Sequence, residues 1–399
     1  RKRKRKRKRK RKRKRKRKLN FLVRAYELLQ QLDDLRNLDA SDLAQGFMKD
    51  PFIGTSFIKA YSHCGSLADA RRVFDAMPEK NVVAWNAMLK GYSQHSQGEE
   101  ALKLFEVMQE QGGVPDAITF NSVLSICTEL GWTEKGDEVY KKAVEQCGVV
   151  PDTILNNTLI TMYGKSGRLA EAKKVFEEVQ RKNADNSVTW ASMMNAYNRH
   201  NEGKEALRLF EEMQKRPREV TEAALRTALT SCASVGGEEG LEWGEKIHRV
   251  IKESRVGRQS SVVAVGLINM YAKCGRIEKA RKVFEDAIKS HNHHRLRVDA
   301  NLWSILMREY DSLNRPMEVL ELFKRMRQQK DIEPNKFTLS LALSACAEIG
   351  SALDLGRQIH QYIIEKGMLN NDDSEVLSGA LITMYWYGTI NTFTFILIC

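Results

Sequence analysis

Tyr61-Ser62-His63-Cys64-Gly65-Ser66-Leu67-Ala68-Asp69-Ala70-Arg71-Arg72-Val73-Phe74 is followed, about a hundred residues on, by Tyr163-Gly164-Lys165-Ser166-Gly167-Arg168-Leu169-Ala170-Glu171-Ala172-Lys173-Lys174-Val175-Phe176. It returns again as Tyr271-Ala272-Lys273-Cys274-Gly275-Arg276-Ile277-Glu278-Lys279-Ala280-Arg281-Lys282-Val283-Phe284. A fourth copy opens at Leu381-Ile382-Thr383-Met384-Tyr385 and then breaks off. Such self-similarity means one supersecondary unit stacked on itself. It replaces the two or three globular domains that 399 residues would otherwise suggest.

Working outward from these copies, unit starts fall at Pro51, Val82, Ala117, Thr153, Ser187, Glu222, Ser261, Ala300, Lys336 and Glu375. Unit lengths run from 31 to 39 residues, and Tyr61, Tyr163, Tyr271 and Tyr385 mark a super-period of three units. The unit from Val82 shows the physics. Trp85, Met88, Leu89 and Tyr92 stand at i, i+3, i+4 and i+7, one apolar stripe of a helix. Ser93 to Gly98 breaks the pattern with turn residues. Ala101, Leu102, Leu104, Phe105 and Met108 form the stripe of a second helix, with Ala101 where two helices can approach closely. Gly112-Gly113 end it, and Asp116 is placed to cap the next helix. One hairpin cannot bury both stripes, so neighbouring hairpins must stack.

The charge balance divides the chain. The net charge of +14 comes from residues 1–18, a pure Arg-Lys alternation. Removing these 18 from the 65 Lys+Arg leaves 47 against 51 Asp+Glu, a body near −4. The alternation repels itself and buries nothing, so it reads as a disordered low-complexity tail, at an incomplete or mispredicted chain start. It would bind nucleic acid without regard to sequence, and it has neither the mixed composition of a transit peptide nor the apolar core of a secretory signal. Residues 19–50 read as a partial repeat, with helical periodicity from Leu22 to Leu38 and the end of a long unit at Gly46 to Phe52. Residues 51–374 form the array of about nine repeats, and residues 375–399 a broken repeat. After Tyr385 an aromatic, β-branched, uncharged run replaces the expected second helix, as a translated intron or frameshift would.

The seven cysteines contain no CxxC pair; Cys127, Cys232 and Cys346 share one repeat position, and Cys64 and Cys274 another. They read as small buried residues of a reduced compartment. No run reaches the roughly 18 apolar residues of a transmembrane helix, so no membrane is expected as a partner.

The recurring unit of ~35 residues, the Trp85-Asn86-Ala87-Met88 start, the Tyr271–Ala280 block, and the endings Pro115-Asp116 and Pro151-Asp152 resemble the pentatricopeptide repeat family. The alternation of short, standard and long units is similar to its land-plant subclass. The rival is the tetratricopeptide repeat, a protein–protein interaction scaffold. It needs a small residue four places after the Trp and a length near 34. Here that place holds Leu89, Met194 and Met307.

The resemblance implies an all-α fold, a right-handed α-solenoid of stacked helix-turn-helix repeats with the first helices on the concave side. It implies sequence-selective binding of single-stranded RNA, one base per unit. It also implies work in a mitochondrion or chloroplast, on RNA processing such as C-to-U editing-site recognition. No catalysis and no cofactor are expected of this chain; a deaminase or other editing factor would come from a missing C-terminus or act in trans.

In family terms the fifth residue of a unit and its last residue read the base, and the second residues of adjacent units sandwich it. Carried onto this sequence, Thr55/Asn81 implies adenine, Asn86/Asp116 uracil, Asn157/Asn186 a pyrimidine with cytosine favoured, and Ser304/Asn335 adenine. Asn121/Asp152 lies in a long unit and carries no firm letter. The sandwich places hold Phe52, Val83, Ile118, Ile154, Val188, Val262 and Phe337, with Asn301 the polar exception. Ala191/Thr221, Arg226/Ser260, Val265/Asp299 and Ser340/Ser374 imply no letter, since Ala191 and Val265 cannot hydrogen-bond a base edge through their side chains. Each of these residues also has a plain structural reading. Asn81, Asp116, Asp152 and Asn186 suit helix N-caps, the aliphatic second residues suit a core, and Trp85, Trp190 and Trp303 suit packing between helices. Asn86, Asn121 and Asn157 are poor helix formers in helix interiors, so their recurrence at one register favours a functional role.

Other signals carry less. His200-Asn201-Glu202 has the HxE half of a zinc deaminase without its CxxC partner. His291-Asn292-His293-His294 is a metal tract without Cys or carboxylate partners. Gly236-Gly237 and Gly240 lack the strand–loop–helix setting of a phosphate loop. His248 and His360 occupy equivalent places in their helices. No metal ligand set and no nucleophile–base set emerges.

Overall fold

A computed structural model describes residues 32–40, 50–182, 184–216, 220–254, 260–292, 298–329, 331–349, 352–369 and 375–386. The Arg-Lys run, most of the partial repeat before Pro51 and the run after Trp386 lie outside the described residues, as do His293 and His294 of the histidine tract. No strand occurs among the described residues.

After α1 (Leu32–Ala40), even-numbered helices open the units: α2 (Pro51–His63), α4 (Val82–Gln94), α6 (Ala117–Leu130), α8 (Thr153–Lys165), α10 (Ser187–Arg199), α12 (Glu222–Val235), α14 (Ser261–Lys273), α16 (Ala300–Ser312) and α18 (Lys336–Glu348). Odd-numbered helices close them: α3 (Leu67–Ala76), α5 (Gly98–Glu110), α7 (Thr133–Lys141), α9 (Leu169–Arg181), α11 (Gly203–Gln214), α13 (Gly237–Ser254), α15 (Ile277–Asn292), α17 (Pro316–Gln328) and α19 (Leu353–Glu365). The even helices begin at the residues where the units were expected to start. A one-turn π-helix, Lys142–Gln146, extends α7 and was not foreseen.

Local chemistry explains these bounds. The residue before every even helix caps it through its side chain. Asp50 accepts from the Phe52 N–H at 3.1 Å, and Asp116 and Asp152 accept from the Thr119 and Leu155 N–H groups at 2.8 Å. Asn81, Asn186, Thr221, Ser260, Asp299 and Asn335 do the same for their helices. The other end is set by the fifteenth residue of the unit. Gly65, Ser96, Gly131, Gly167, Asn201, Gly236, Gly275 and Asn314 all have φ between 55° and 84°. Only Gly adopts this left-handed state freely and Asn tolerates it, which explains the glycine of the quoted segment.

The described residues form two compact units, one up to Ala196 and one from Tyr197. In the first, α2, α4, α6 and α8 stack in order; in the second, α12, α14, α16 and α18 do. The last residue of the quoted segment is the key to the stacking. Phe74 meets Trp85 of the next unit edge-on at 4.8 Å, Phe176 meets Trp190 at 5.2 Å, and Phe284 meets Trp303 at 4.8 Å. All six rings are buried, as the packing reading of the tryptophans requires.

The anchor tyrosines serve a second joint. The hydroxyl of Tyr61 donates to Asp39 at 3.1 Å and that of Tyr163 to Asp137 at 2.6 Å. Tyr271 and Tyr385 pair with Nδ1 of His248 and His360 at 2.8 and 2.9 Å. Burial, with Lys252 nearby, pushes the His248 pKa down to about 4, so the His248–Tyr271 pair is neutral at physiological pH. Beside three of these tyrosines a methionine side chain fills the notch left by a glycine of the preceding long unit: Met162 at Gly136, Met270 at Gly244 and Met384 at Gly356.

Cys127, Cys232 and Cys346 are fully buried, and burial pushes their thiols up to about 11, 12 and 11. They are inert packing groups at neutral pH. In the second unit, a Cβ on Gly240 would strike the backbone carbonyl of Cys232 and crowd Cys274 Sγ. Gly240→Ala is therefore expected to destabilise by about 1–2 kcal/mol, although alanine raises helix propensity by about 1 kcal/mol. Chemical denaturation monitored by circular dichroism reads this as a lower midpoint.

Candidate nucleic-acid interface

One stripe of each even helix stays open. Residues three, four, seven, eight and eleven turn into the stack and are mostly buried, while two, five, nine and thirteen share the opposite face. The second residues are the clearest feature of this stripe. Phe52 is 58% exposed, Val83 55%, Ile118 64%, Ile154 61%, Val188 56%, Val262 46% and Phe337 52%. The core reading of these side chains is thereby corrected. Val376, second in the unit from Glu375, is 47% exposed and belongs to the same series, which the sequence reading had not extended so far. Asn301 is exposed at this place and bonded to the Asp299 carboxylate at 3.0 Å.

The fifth residues lie one turn further along the stripe. Asn86, Asn121, Asn157 and Ser304 are partly exposed; Thr55 is 6% exposed and donates to the Pro51 carbonyl. The last residues meet them from the next helix start. Asn86 Nδ2 donates to Asp116 Oδ1 at 3.0 Å, and Asn335 Nδ2 donates to Asn301 Oδ1 at 3.3 Å rather than to Ser304. Thr119 Oγ1 donates to Asn86 Oδ1 at 2.7 Å, and Thr158 Oγ1 donates to Asn121 Oδ1 at 2.6 Å. Asn157 Oδ1 is buried without a hydrogen-bond partner among the described residues. Asn81, Asp152 and Asn186 serve as caps. Ala191 is 9% exposed and Val265 partly exposed, so neither place offers a polar group.

Burial alone would raise the pKa of Asp116, but hydrogen bonds from Thr119 and Asn86 outweigh it and hold the carboxyl below the usual range. Asp116 is thus ionised and purely an acceptor at neutral pH. Its contacts among the described residues fall on Oδ1, which leaves Oδ2 to the open face.

Cations extend the stripe. Lys59, Lys90 and Arg308 stand at residue nine, and Lys165, Arg199 and Lys273 at residue thirteen; all are exposed. Sequence reasoning missed them, although the spacing of two, five, nine and thirteen places them on the readers' face. The even helices carry eight Lys and Arg against five Asp and Glu, whereas the odd helices with the π turn carry 22 against 28. The helices that open the units are thus the more basic set, although Glu129 and Glu348 stand exposed at residue thirteen of α6 and α18.

His200-Asn201-Glu202 occupies a helix turn in which Asn201 has φ 59°, and no group of His, Cys, Asp and Glu suited to a metal occurs among the described residues. No helix among them is long and apolar enough to cross a membrane. Gly236 and Gly237 connect two helices, α12 and α13.

The PPR repeat family model matches residues 80–129 and 185–234, and PPR repeat models match 55–82, 118–146, 147–180 and 265–291, together more than half of the chain. The chain belongs to the pentatricopeptide repeat family. A chloroplastic pentatricopeptide repeat-containing protein of Arabidopsis thaliana is 32% identical over 351 residues, covering 87% of this chain and 38% of the relative. A mitochondrial one from the same plant is 31% identical over 356 residues, covering 89% and 48%. The chain spans less than half the length of these two pentatricopeptide repeat relatives. Among solved structures, its backbone is similar to that of the pentatricopeptide repeat protein PPR10 in complex with an 18-nt psaJ RNA element. The TM-score is 0.51 at 18% identity, with 86% of this chain and 54% of that chain covered. At that identity the likeness is one of fold.

Proposed function

We propose that this chain is a sequence-selective single-stranded RNA-binding protein of a mitochondrion or chloroplast, acting in RNA processing such as C-to-U editing-site recognition. The observation that carries the reading is the row of half-exposed Phe, Val and Ile side chains, one per unit at the second residue, each followed three places on by the residue at the reading register. A folded chain gains by covering such surface, at roughly 25 cal/mol per Å². A stacked nucleobase covers it from both sides whatever its sequence. The amides and carboxylates behind then test the edge of the base, and the basic residues at nine and thirteen meet phosphates.

The chemistry at Asn86/Asp116 favours uracil. Asp116 Oδ2 accepts the N3–H of uracil, and the second Nδ2 proton of Asn86 reaches a uracil carbonyl. Cytosine presents an acceptor at N3 and meets the carboxylate with repulsion. At Asn121/Asp152 the same residue types stand without a bond between them among the described residues. Thr55/Asn81 and Ser304/Asn335 present a hydroxyl with an amide, the pairing assigned to adenine, and Asn157/Asn186 presents two amides, assigned to a pyrimidine. Editing chemistry would come from a deaminase acting in trans or from a part of the protein beyond this chain. Two of the relatives carry chloroplastic and mitochondrial names, which supports the organelle assignment.

Selection of RNAs from a randomised single-stranded pool tests the reading. The salt should be high enough to suppress sequence-blind binding by residues 1–18. The expected result is enrichment of a short motif with uracil opposite the unit from Val82. Enrichment of no motif, with binding that disappears as salt rises, would leave the protein-scaffold reading in its place.

A further inference from the structure

Thr119 lies outside the second, fifth and last positions, yet it sits at the centre of the Asn86/Asp116 pair. It is the third residue of α6 and its side chain is fully buried. Its hydroxyl lies 2.7 Å from Asn86 Oδ1 and 2.8 Å from Asp116 Oδ1, and it accepts from the Asp116 N–H at 3.2 Å. On the far side, Asn86 Nδ2 donates to Asp116 Oδ1 at 3.0 Å. The amide is therefore held at both ends. A flipped Asn86 would turn its oxygen on an ionised carboxylate and give up the hydrogen bond that Oδ1 accepts from the Thr119 hydroxyl.

We propose that Thr119 is a positioning residue that sets base choice in the unit from Val82 by fixing which end of the Asn86 amide faces the base. Thr158 does the same for Asn121 from a different register, residue six of α8, through its 2.6 Å bond to Oδ1. The units thus differ in how firmly their reader is held. Asn86 is braced twice and Asn121 once. Asn157 has a carbonyl oxygen with no hydrogen-bond partner among the described residues. A reader free to turn over presents either a donor or an acceptor, and it discriminates poorly between bases that differ in that respect. The selectivity of this array is graded by threonines outside the reading positions.

This inference rests on the RNA-binding reading, and the test separates the two. The full chain, Thr119→Val, Thr119→Ser and Thr158→Val are compared by fluorescence anisotropy. The labelled RNAs differ only in the base opposite Asn86/Asp116 or only in the base opposite Asn121/Asp152. With one hydroxyl bond lost, the uracil-over-cytosine ratio at the first base should fall roughly 3- to 10-fold in Thr119→Val. It should return in Thr119→Ser and stay unchanged in Thr158→Val, which instead flattens the preference at the second base. Thr119→Ala replaces Thr119→Val if the latter fails to fold. A ratio within twofold of the original in a folded Thr119 variant overturns the positioning role and leaves RNA binding standing. A fall in affinity equal for all bases assigns Thr119 to helix capping alone and overturns it as well. Failure of the unaltered chain to bind any of these RNAs sinks both readings together.

Discussion

Trp303→Ala is expected to destabilise the protein by about 3–5 kcal/mol, the usual cost of emptying a large aromatic site in a core. Trp303 is fully buried and meets Phe284 edge-on at 4.8 Å and 84°. Its loss unpacks the joint between two successive units, and in a stacked array such joints carry the stability. Urea denaturation followed by circular dichroism should show a lower midpoint, or an early phase as the stack parts at that joint. The matching substitution to phenylalanine separates ring from indole N–H. Trp190 Nε1 donates to Asp185 Oδ2 at 2.9 Å, whereas Trp303 Nε1 is buried without a hydrogen-bond partner among the described residues. Trp190→Phe should therefore cost more than Trp303→Phe, since an unsatisfied buried donor contributes nothing that its removal could forfeit. Equal losses would mean that the indole nitrogens play no part.

The second large effect concerns base choice. Asn86→Thr combined with Asp116→Asn should move the preferred base of that unit from uracil toward adenine. A matched base-edge contact discriminates by roughly 1–3 kcal/mol, about 5- to 150-fold. The change replaces an ionised acceptor with an amide and removes the Asn86–Asp116 bond. The cap at this helix start should survive, because asparagine caps as well as aspartate does. Anisotropy with RNAs altered only at that base gives the ratio, and other positions should keep theirs. A preference that stays on uracil would show that the register is misassigned.

The bounds of the even helices were legible in the sequence because local chemistry sets them. Asp116 caps the helix it precedes, Gly65 turns left-handed, and Trp85 to Tyr92 repeat at 3.6 residues; each is decided within a few residues of itself. The exposure of Val83 and Ile118 was not legible, because an aliphatic side chain near a helix start looks the same whether the next unit covers it or not. Thr119 and Thr158 were invisible for a related reason. Their partners lie 33 and 37 residues away, and only the stacking of units brings them to Asn86 and Asn121. The π turn after α7 has no marker in its residues, and Asn301 stood out only as an exception until Asp299 and Asn335 were seen to bond it.

Photocrosslinking with one 4-thiouridine placed opposite the unit from Val82, followed by mass spectrometry of the full chain, asks where the base sits. If bases enter one by one between the exposed second residues, the adduct will fall on α4 or the start of α6, at or beside Val83, Asn86 or Ile118. Moving the thiouridine one nucleotide should move the adduct to a neighbouring unit. Adducts on the odd-numbered helices, or only within residues 1–18, would contradict the account.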